Sequence, residues 1–163
     1  MQPTIYNVGM PARKTLEDLR CSVANTAELV GDQWTIVILR DAFLGVRRFD
    51  DFQKDLGIAR NVLAERLNRL VDVGILTTRL YEERPPRHEY LLTEKGKDLL
   101  DVLVALRRWG DRWNAPEERF IRPLRHLECG EIMEGVMSCN HCGQPLDHRN
   151  VRVEPSKVAV LRA

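Results

Sequence analysis

The chain has 163 residues, of which 44% are hydrophobic and 30% are charged, and its 25 basic and 24 acidic residues leave a formal net charge of +1. This length fits one ordinary domain with an appendix, the apolar fraction is sufficient for a folded core, and no apolar run is long enough to span a membrane. The charge balance argues neither for nor against nucleic acid, so a DNA surface would have to arise from the arrangement of a few basic residues.

Residues 1–15 are predicted to form a flexible N-terminal arm that precedes a domain over residues 16–113. The arm lacks a basic start followed by an apolar stretch, which is the pattern of a secretory signal. We therefore expect a cytoplasmic protein without membrane association, in which thiols are reduced by default.

Cys21 lies just before a helix that is predicted to begin near Ser22. The N-terminus of a helix favours the thiolate, which is the reactive form of cysteine. Cys21 is therefore a candidate redox sensor. The alternative is that Cys21 is a small buried hydrophobic residue.

Two short amphipathic segments, residues 48–56 and 59–73, are separated by Gly57-Ile58. Their apolar residues recur at steps of three and four, which is typical of helices with one buried face. In the second segment the predicted buried face carries three leucines: Leu63, Leu67 and Leu70. Gly74 is suited to end the second helix. The pattern predicts a helix-turn-helix, although an ordinary helical hairpin has similar spacing.

Two strand-like runs follow, over residues 75–81 and 87–92, and both are rich in residues that favour strands. Between them, Pro85-Pro86 is expected to keep the tip extended and unable to pair. A helix-turn-helix followed by a hairpin is typical of a winged helix-turn-helix, which places one helix in the DNA major groove.

Residues at the start of the second helix usually reach base edges, and those on its exposed face lie next along the groove. The candidates for base contacts are Arg60, Asn61, Ala64, Glu65 and Asn68. The candidates for contacts with phosphates or the minor groove are Arg84, Arg87 and His88 in the wing, with Arg47 and Arg48 touching the DNA backbone. For Asn61, Glu65 and Asn68 the alternative is a solvated helix face.

Several short runs occur in a fixed order along the chain: Cys21-Ser22, Val30-Gly31-Asp32-Gln33-Trp34-Thr35, Arg48-Phe49, Leu63-Ala64-Glu65-Arg66-Leu67, Leu70, Gly74-Ile75-Leu76, Pro86-Arg87-His88-Glu89-Tyr90-Leu91-Leu92-Thr93, Gly96 and Trp109. Over roughly residues 20–113 this order resembles the HxlR family of bacterial and archaeal winged-helix transcription regulators. The resemblance implies a homodimer on an inverted-repeat operator, with some members sensing thiol-reactive stress through the cysteine near the first helix. Ser22, Gln33 and Ala59 depart from the family pattern, and Ala59 removes a helix cap typically worth about 1 kcal/mol.

A further helix is predicted after Thr93, with two apolar faces. One face carries Leu99, Val102, Leu106, Trp109 and Trp113, spaced as in a seam between paired helices. The other face carries Leu100, Leu103 and Val104. Two apolar faces need two partners, so we expect a homodimer through this seam and the N-terminal helix. Alternatively, both faces are buried within one domain, one of them covered by the chain after Asn114.

The C-terminal extension, residues 114–163, contains two ligand pairs that are each spaced by two residues and followed by Gly. The ligands are His126, Cys129, Cys139 and Cys142. This spacing predicts a small β-rich tail that resembles a zinc ribbon, with a closed tetrahedral site for structural zinc rather than a catalytic metal. A redox dithiol and inert thiols are alternatives, and His141 or His148 could replace His126.

The predicted fold is therefore mainly α with a small β-wing, plus the zinc-ribbon-like tail. We interpret the chain as a homodimeric, DNA-binding transcriptional regulator that responds to thiol-reactive or small-molecule effectors. An enzyme is disfavoured, because the sequence offers no Gly-rich phosphate loop and no nucleophile-and-base arrangement. The alternative is a winged-helix module that binds another protein instead of double-stranded DNA.

Overall fold

The computed structural model describes residues 21–114 and 123–154. The predicted arm at residues 1–15 lies outside these ranges, as do residues 115–122 and 155–163 of the predicted C-terminal extension. None of the helices within the described ranges is long and apolar enough to cross a membrane.

The chain forms two compact units, which divide between Leu103 and Val104. The elements follow one another in this order: α1 (Ser22–Val30), α2 (Gln33–Phe43), α3 (Phe49–Leu56), α4 (Arg60–Asp72), β1 (Leu76–Glu83), β2 (Pro86–Leu92), α5 (Glu94–Lys97), α6 (Leu100–Trp113), β3 (Leu124–Arg125) and β4 (Ile132–Met133). This order confirms the prediction of a mainly helical fold with a helix-turn-helix and a β-wing.

The start of α2 is fixed by the carboxylate of Asp32. It accepts hydrogen bonds from the N–H groups of Trp34 at 3.1 Å and Thr35 at 3.2 Å, and from Nε of Arg66 on α4 at 3.1 Å. Burial of Asp32 raises the pKa of its carboxyl, but hydrogen bonds from Thr35 and Arg66 lower it by more, so the pKa lies below its usual value. One carboxylate therefore both caps α2 and holds the middle of α4.

The turn between α3 and α4 has the predicted form. Gly57 ends α3 with a φ of 61°, in the left-handed region that glycine adopts without strain. Ala59 precedes α4, and its side chain makes no capping hydrogen bond. The predicted helices at residues 48–56 and 59–73 agree with the observed bounds to within one residue at each end.

The apolar faces of the helices meet in one core. Leu63, Leu67 and Leu70 of α4 are at most 1% exposed and belong to the same buried cluster as Phe52 of α3. Ile38 and Leu39 of α2 complete this part of the cluster. Because the leucines bury one face of α4, its polar face is left in solvent.

The wing is the antiparallel pair of β1 and β2, with Glu83 opposite Pro86 at its tip. The prediction that both prolines leave the tip unpaired is wrong for Pro86, which begins β2, while Arg84-Pro85 forms the turn. Proline is tolerated as the first residue of a strand, where its missing N–H need not join the hydrogen-bond ladder.

The helical segment after Thr93 is interrupted. Thr93 caps the short α5 by accepting a hydrogen bond from the N–H of Gly96 at 3.1 Å, and α6 begins only at Leu100. Leu99 lies in the break and packs against the core with Leu103, so its predicted place in the seam is wrong. Leu100, predicted on the second face, is exposed. The remaining seam residues are exposed along α6: Val102, Leu106, Trp109 and Trp113.

The C-terminal unit contains small β pairs. β3 and β4 are antiparallel, with Leu124 opposite Met133, and a separate bridge joins Ser138 to Pro145. No residue within 123–154 is buried. The unit therefore has defined turns and β pairs without an apolar core among its described residues.

Candidate nucleic-acid interface

The exposed face of α4 carries the residues predicted to reach base edges. Arg60, Asn61, Glu65 and Asn68 are exposed, and Ala64 is half-buried among them. Asn61, Glu65 and Asn68 lie on the side of α4 away from the buried leucines, whereas Arg60 stands at the first position of the helix, three residues before Leu63. This face is free to enter a groove of DNA without disturbing the core.

Arg60 is held at the N-terminal end of α4 by three residues of α3. Its guanidinium lies 4.6 Å from the ring centroid of Phe49, 3.2 Å from the carboxylate of Asp50 and 3.3 Å from the amide oxygen of Gln53. The side chain remains 69% exposed. The turn therefore positions Arg60 toward solvent before any ligand is present.

Tyr81 contacts two further predicted arginines near the tip of the wing. The guanidinium of Arg48 lies over the Tyr81 ring, 4.5 Å from its centroid. Arg87 is hydrogen-bonded to Tyr81 and lies 3.4 Å from the carboxylate of Glu82, and these contacts raise the pKa of Arg87 above its usual value. Asp50 adds a smaller attraction for Arg87. Arg48 and Arg87 therefore share one aromatic partner.

The remaining predicted basic residues, Arg47, Arg84 and His88, are exposed. The carbonyl oxygen of Arg47 accepts a hydrogen bond from the N–H of Tyr90 at 2.7 Å. This hydrogen bond joins the segment that precedes α3 with β2, the second strand of the wing. The backbone thus fixes Arg47 while its side chain stays in solvent.

Three residues of this surface were not predicted: Asp50, Gln53 and Tyr81. Asp50 and Gln53 hold Arg60, and Tyr81 contacts both Arg48 and Arg87. The available sequence signal was weak, namely an aromatic residue among polar residues at the end of a strand. Glu65, predicted to contact bases, is paired with Arg66 at 2.6 Å in the free protein.

Both the sequence and the fold match a described family. The family model for HxlR-like helix-turn-helix proteins matches residues 29–118. The chain belongs to this family. The HxlR-like match covers the helix-turn-helix, the wing and α6.

Relatives of this HxlR-like chain support the same assignment. An uncharacterized HTH-type transcriptional regulator of Mycobacterium tuberculosis, Rv3095, is 46% identical over 134 residues, which are 82% of this chain and 85% of that protein. The crystal structure of PA1607 is similar with a TM-score of 0.75 and 36% identity, covering 86% of this chain and 99% of that one. The redox regulator HypR in its reduced form is similar with a TM-score of 0.53 and 28% identity, covering 56% of this chain and 92% of that one.

These relationships confirm the predicted family and the prediction that the chain is not an enzyme, since the family and the named relatives are transcription regulators. Cys21 lies before the residues that match the family model and stands at the N-terminal cap position of α1. Its side chain makes no capping hydrogen bond and is exposed. The exposure of Cys21 does not fit the alternative of a small buried hydrophobic residue.

The four predicted metal ligands lie in two separate turns of the C-terminal unit. Nδ1 of His126 is 3.2 Å from Sγ of Cys129. In the second turn, the N–H groups of Cys142 and His141 donate to Cys139 and hold the pKa of its thiol below the usual value. Among the residues that the structure describes, no three His, Cys, Asp or Glu side chains converge into one metal-binding group. The structure thus forms each pair of ligands without joining the two pairs.

Proposed function

We propose that this chain is a homodimeric regulator that binds an inverted-repeat operator, with α4 in the major groove and the wing on the flanking backbone. The observation that carries the proposal is the placement of the arginines. Arg60 is exposed at the start of α4, and Arg48 and Arg87 both contact Tyr81 in the wing. This gives a locally basic surface on a chain with almost no net charge.

The exposed apolar face of α6 supports the homodimer. Trp109 and Trp113 are 59% and 64% exposed, and Val102 and Leu106 lie on the same face. Large aromatic side chains left in solvent are typical of an interaction surface. A second copy of the chain that used the same face would bury these apolar side chains of α6 in both copies. To match two half-sites of an operator, the two copies of α4 would lie about 34 to 36 Å apart, or a multiple of that distance.

The free protein keeps carboxylates beside its candidate DNA-binding arginines. Asp50 lies against Arg60, and Glu82 lies against Arg87. Phosphates must compete with these carboxylates, while counterions are released from DNA. Binding is therefore expected to be steeply dependent on salt concentration despite the small net charge.

Fluorescence anisotropy with duplexes from the gene's own upstream region, measured at several salt concentrations, tests the proposal. Arg87→Ala is expected to weaken binding to all duplexes alike and to lower the salt slope by about 1, because Arg87 would contact phosphate. Arg84→Ala serves as a comparison from the same wing. If no duplex binds even at low salt, the proposal is wrong and a module that binds another protein is favoured.

Asp50→Asn is expected to tighten DNA binding about two- to fivefold, in line with the modest energy of an exposed ion pair. The substitution removes a negative charge beside Arg60 and keeps a side chain of the same shape. Asp55→Asn makes the same charge change later in α3 and is the control. Weaker binding by Asp50→Asn would show instead that Asp50 positions Arg60 for DNA.

We further propose that Cys21 makes DNA binding responsive to thiol-reactive compounds. Its exposure at the start of α1 supports this, as does the similarity to HypR, which is known in reduced and oxidized forms as a redox regulator. Quinones or peroxide are expected to release DNA from the native protein but not from Cys21→Ser, measured by gel shift. Cys142→Ser is the control. Unchanged release from Cys21→Ser would refute this role.

A further inference from the structure

Two turns of the C-terminal unit share the same backbone geometry. In the first, the N–H of His126 donates to the carbonyl of Glu131 at 2.9 Å, and the N–H of Gly130 donates to the carbonyl of His126 at 2.8 Å. In the second, the N–H of Cys139 donates to the carbonyl of Gln144 and the N–H of Gly143 donates to the carbonyl of Cys139, both at 2.8 Å. The hydrogen bonds thus follow the same pattern in the two segments. Their sequences have in common only a pair of potential metal ligands and the glycine that follows the second ligand.

Each turn also ends on a glycine in the left-handed region. Gly130 has a φ of 75° and Gly143 a φ of 71°, which side-chain-bearing residues rarely adopt. This conformation turns the chain back directly after the second ligand of each pair. The ligand residues therefore stand at equivalent positions of two equivalent turns.

Within each turn the ligand side chains are already arranged as donors. His126 and Cys129 are in contact, with Nδ1 and Sγ 3.2 Å apart. Cys139 receives hydrogen bonds from the backbone N–H groups of His141 and Cys142.

The unit has no apolar core that would hold these turns in place. Leu127 is 90% exposed, Val136 64% and Met137 62%, and nothing within 123–154 is buried. Small polypeptide units that bury little apolar surface usually need a disulfide, a metal or a partner to be stable. Two ordered turns without buried side chains therefore require another source of stability.

We propose that His126, Cys129, Cys139 and Cys142 bind one structural zinc ion, which draws the two turns together. Three thiolates and an imidazole are ligands that suit tetrahedral Zn²⁺, with Zn–S of about 2.3 Å and Zn–N of about 2.0 to 2.1 Å. The four ligands fill the coordination shell, so the ion stabilises the unit and carries out no catalysis. Among the residues that the structure describes the two pairs do not meet, so zinc binding requires one turn to approach the other.

Elemental analysis of the full chain, purified with reductant and without chelator, tests the site. Equimolar zinc is expected in the native protein and in the controls His141→Ala, His148→Ala and Cys21→Ser. Zinc is expected to be lost from Cys129→Ser and Cys142→Ser. Loss with His141→Ala or His148→Ala but not with His126→Ala would overturn the assignment of His126.

Cobalt substitution of the native protein provides a second measurement that does not depend on whether a variant folds. The metal-free chain titrated with Co²⁺ is expected to develop the intense visible absorption of tetrahedral thiolate coordination, reaching its maximum at one equivalent. Absent zinc together with a featureless cobalt spectrum would refute the site. A disulfide between Cys139 and Cys142 that persists in protein purified with reductant and without chelator would likewise contradict it and favour a redox dithiol.

Discussion

Arg60→Ala is expected to weaken binding to the matched operator by about 1 to 3 kcal/mol and to leave binding to a scrambled duplex nearly unchanged. Arg60 stands at the first position of α4, where side chains reach base edges, and its guanidinium fits the two acceptors of guanine. The contacts with Phe49, Asp50 and Gln53 hold it in place before DNA arrives. Paired titrations of matched and scrambled duplexes at one salt concentration give the result.

Two matched variants sharpen this measurement. Arg60→Lys keeps the charge but cannot form the planar two-point contact, so it is expected to retain non-specific binding and lose discrimination. Arg108→Ala removes an equal charge from α6, which carries none of the predicted DNA contacts, and controls for net charge. Equal losses on both duplexes for Arg60→Ala would assign Arg60 to the DNA backbone instead of a base.

Leu106→Glu is expected to convert the dimer to a monomer and to reduce affinity for the complete inverted repeat on the order of a hundredfold. The reason is that an uncompensated carboxylate would be buried at the centre of the proposed seam on α6. Binding to a single half-site should change little, since α4 and the wing are distant in sequence and remain folded. Sedimentation equilibrium and anisotropy with full and half operators measure the two effects.

Arg108→Gln lowers the charge by the same one unit on another side of α6 and should leave the dimer intact. Trp109→Ala tests the same face without introducing charge, and circular dichroism establishes that each variant is folded. A native protein that is monomeric at micromolar concentration, or a dimer unaffected by Leu106→Glu, would falsify the assignment of this face.

The helices and their buried faces could be predicted from the sequence because local spacing decides them. Leu63, Leu67 and Leu70 recur at helical intervals, and Gly57 and Gly74 mark chain reversals. The predicted bounds therefore agree with the structure. Regular spacing gave a wrong prediction at one point. Leu99 has the spacing of the seam residues, but it lies in the break between α5 and α6, and its side chain packs against the core.

The partners of the functional side chains could not be predicted, because they depend on contacts between elements. Arg60 and Asp50 are ten residues apart, and Arg48 and Tyr81 lie on different elements. Nothing in the local pattern of α3 distinguishes Asp50, which lies beside Arg60, from its exposed acidic neighbour Asp51. The arginines could be identified from their positions in the helix-turn-helix and the wing. The residues that contact them could be identified only from the three-dimensional structure.

The missing cap of α4 has a consequence for the energetics of the complex. Since the Ala59 side chain offers no acceptor, the first N–H groups of α4 donate no capping hydrogen bond to it, at the same end of the helix as Arg60. A DNA phosphate is well suited to accept from such groups. In the proposed complex a phosphate of the operator would cap α4. The roughly 1 kcal/mol of capping free energy that the free protein lacks would then contribute to the free energy of DNA binding. Ala59→Ser should accordingly stabilise the free protein against unfolding and lower its affinity for DNA.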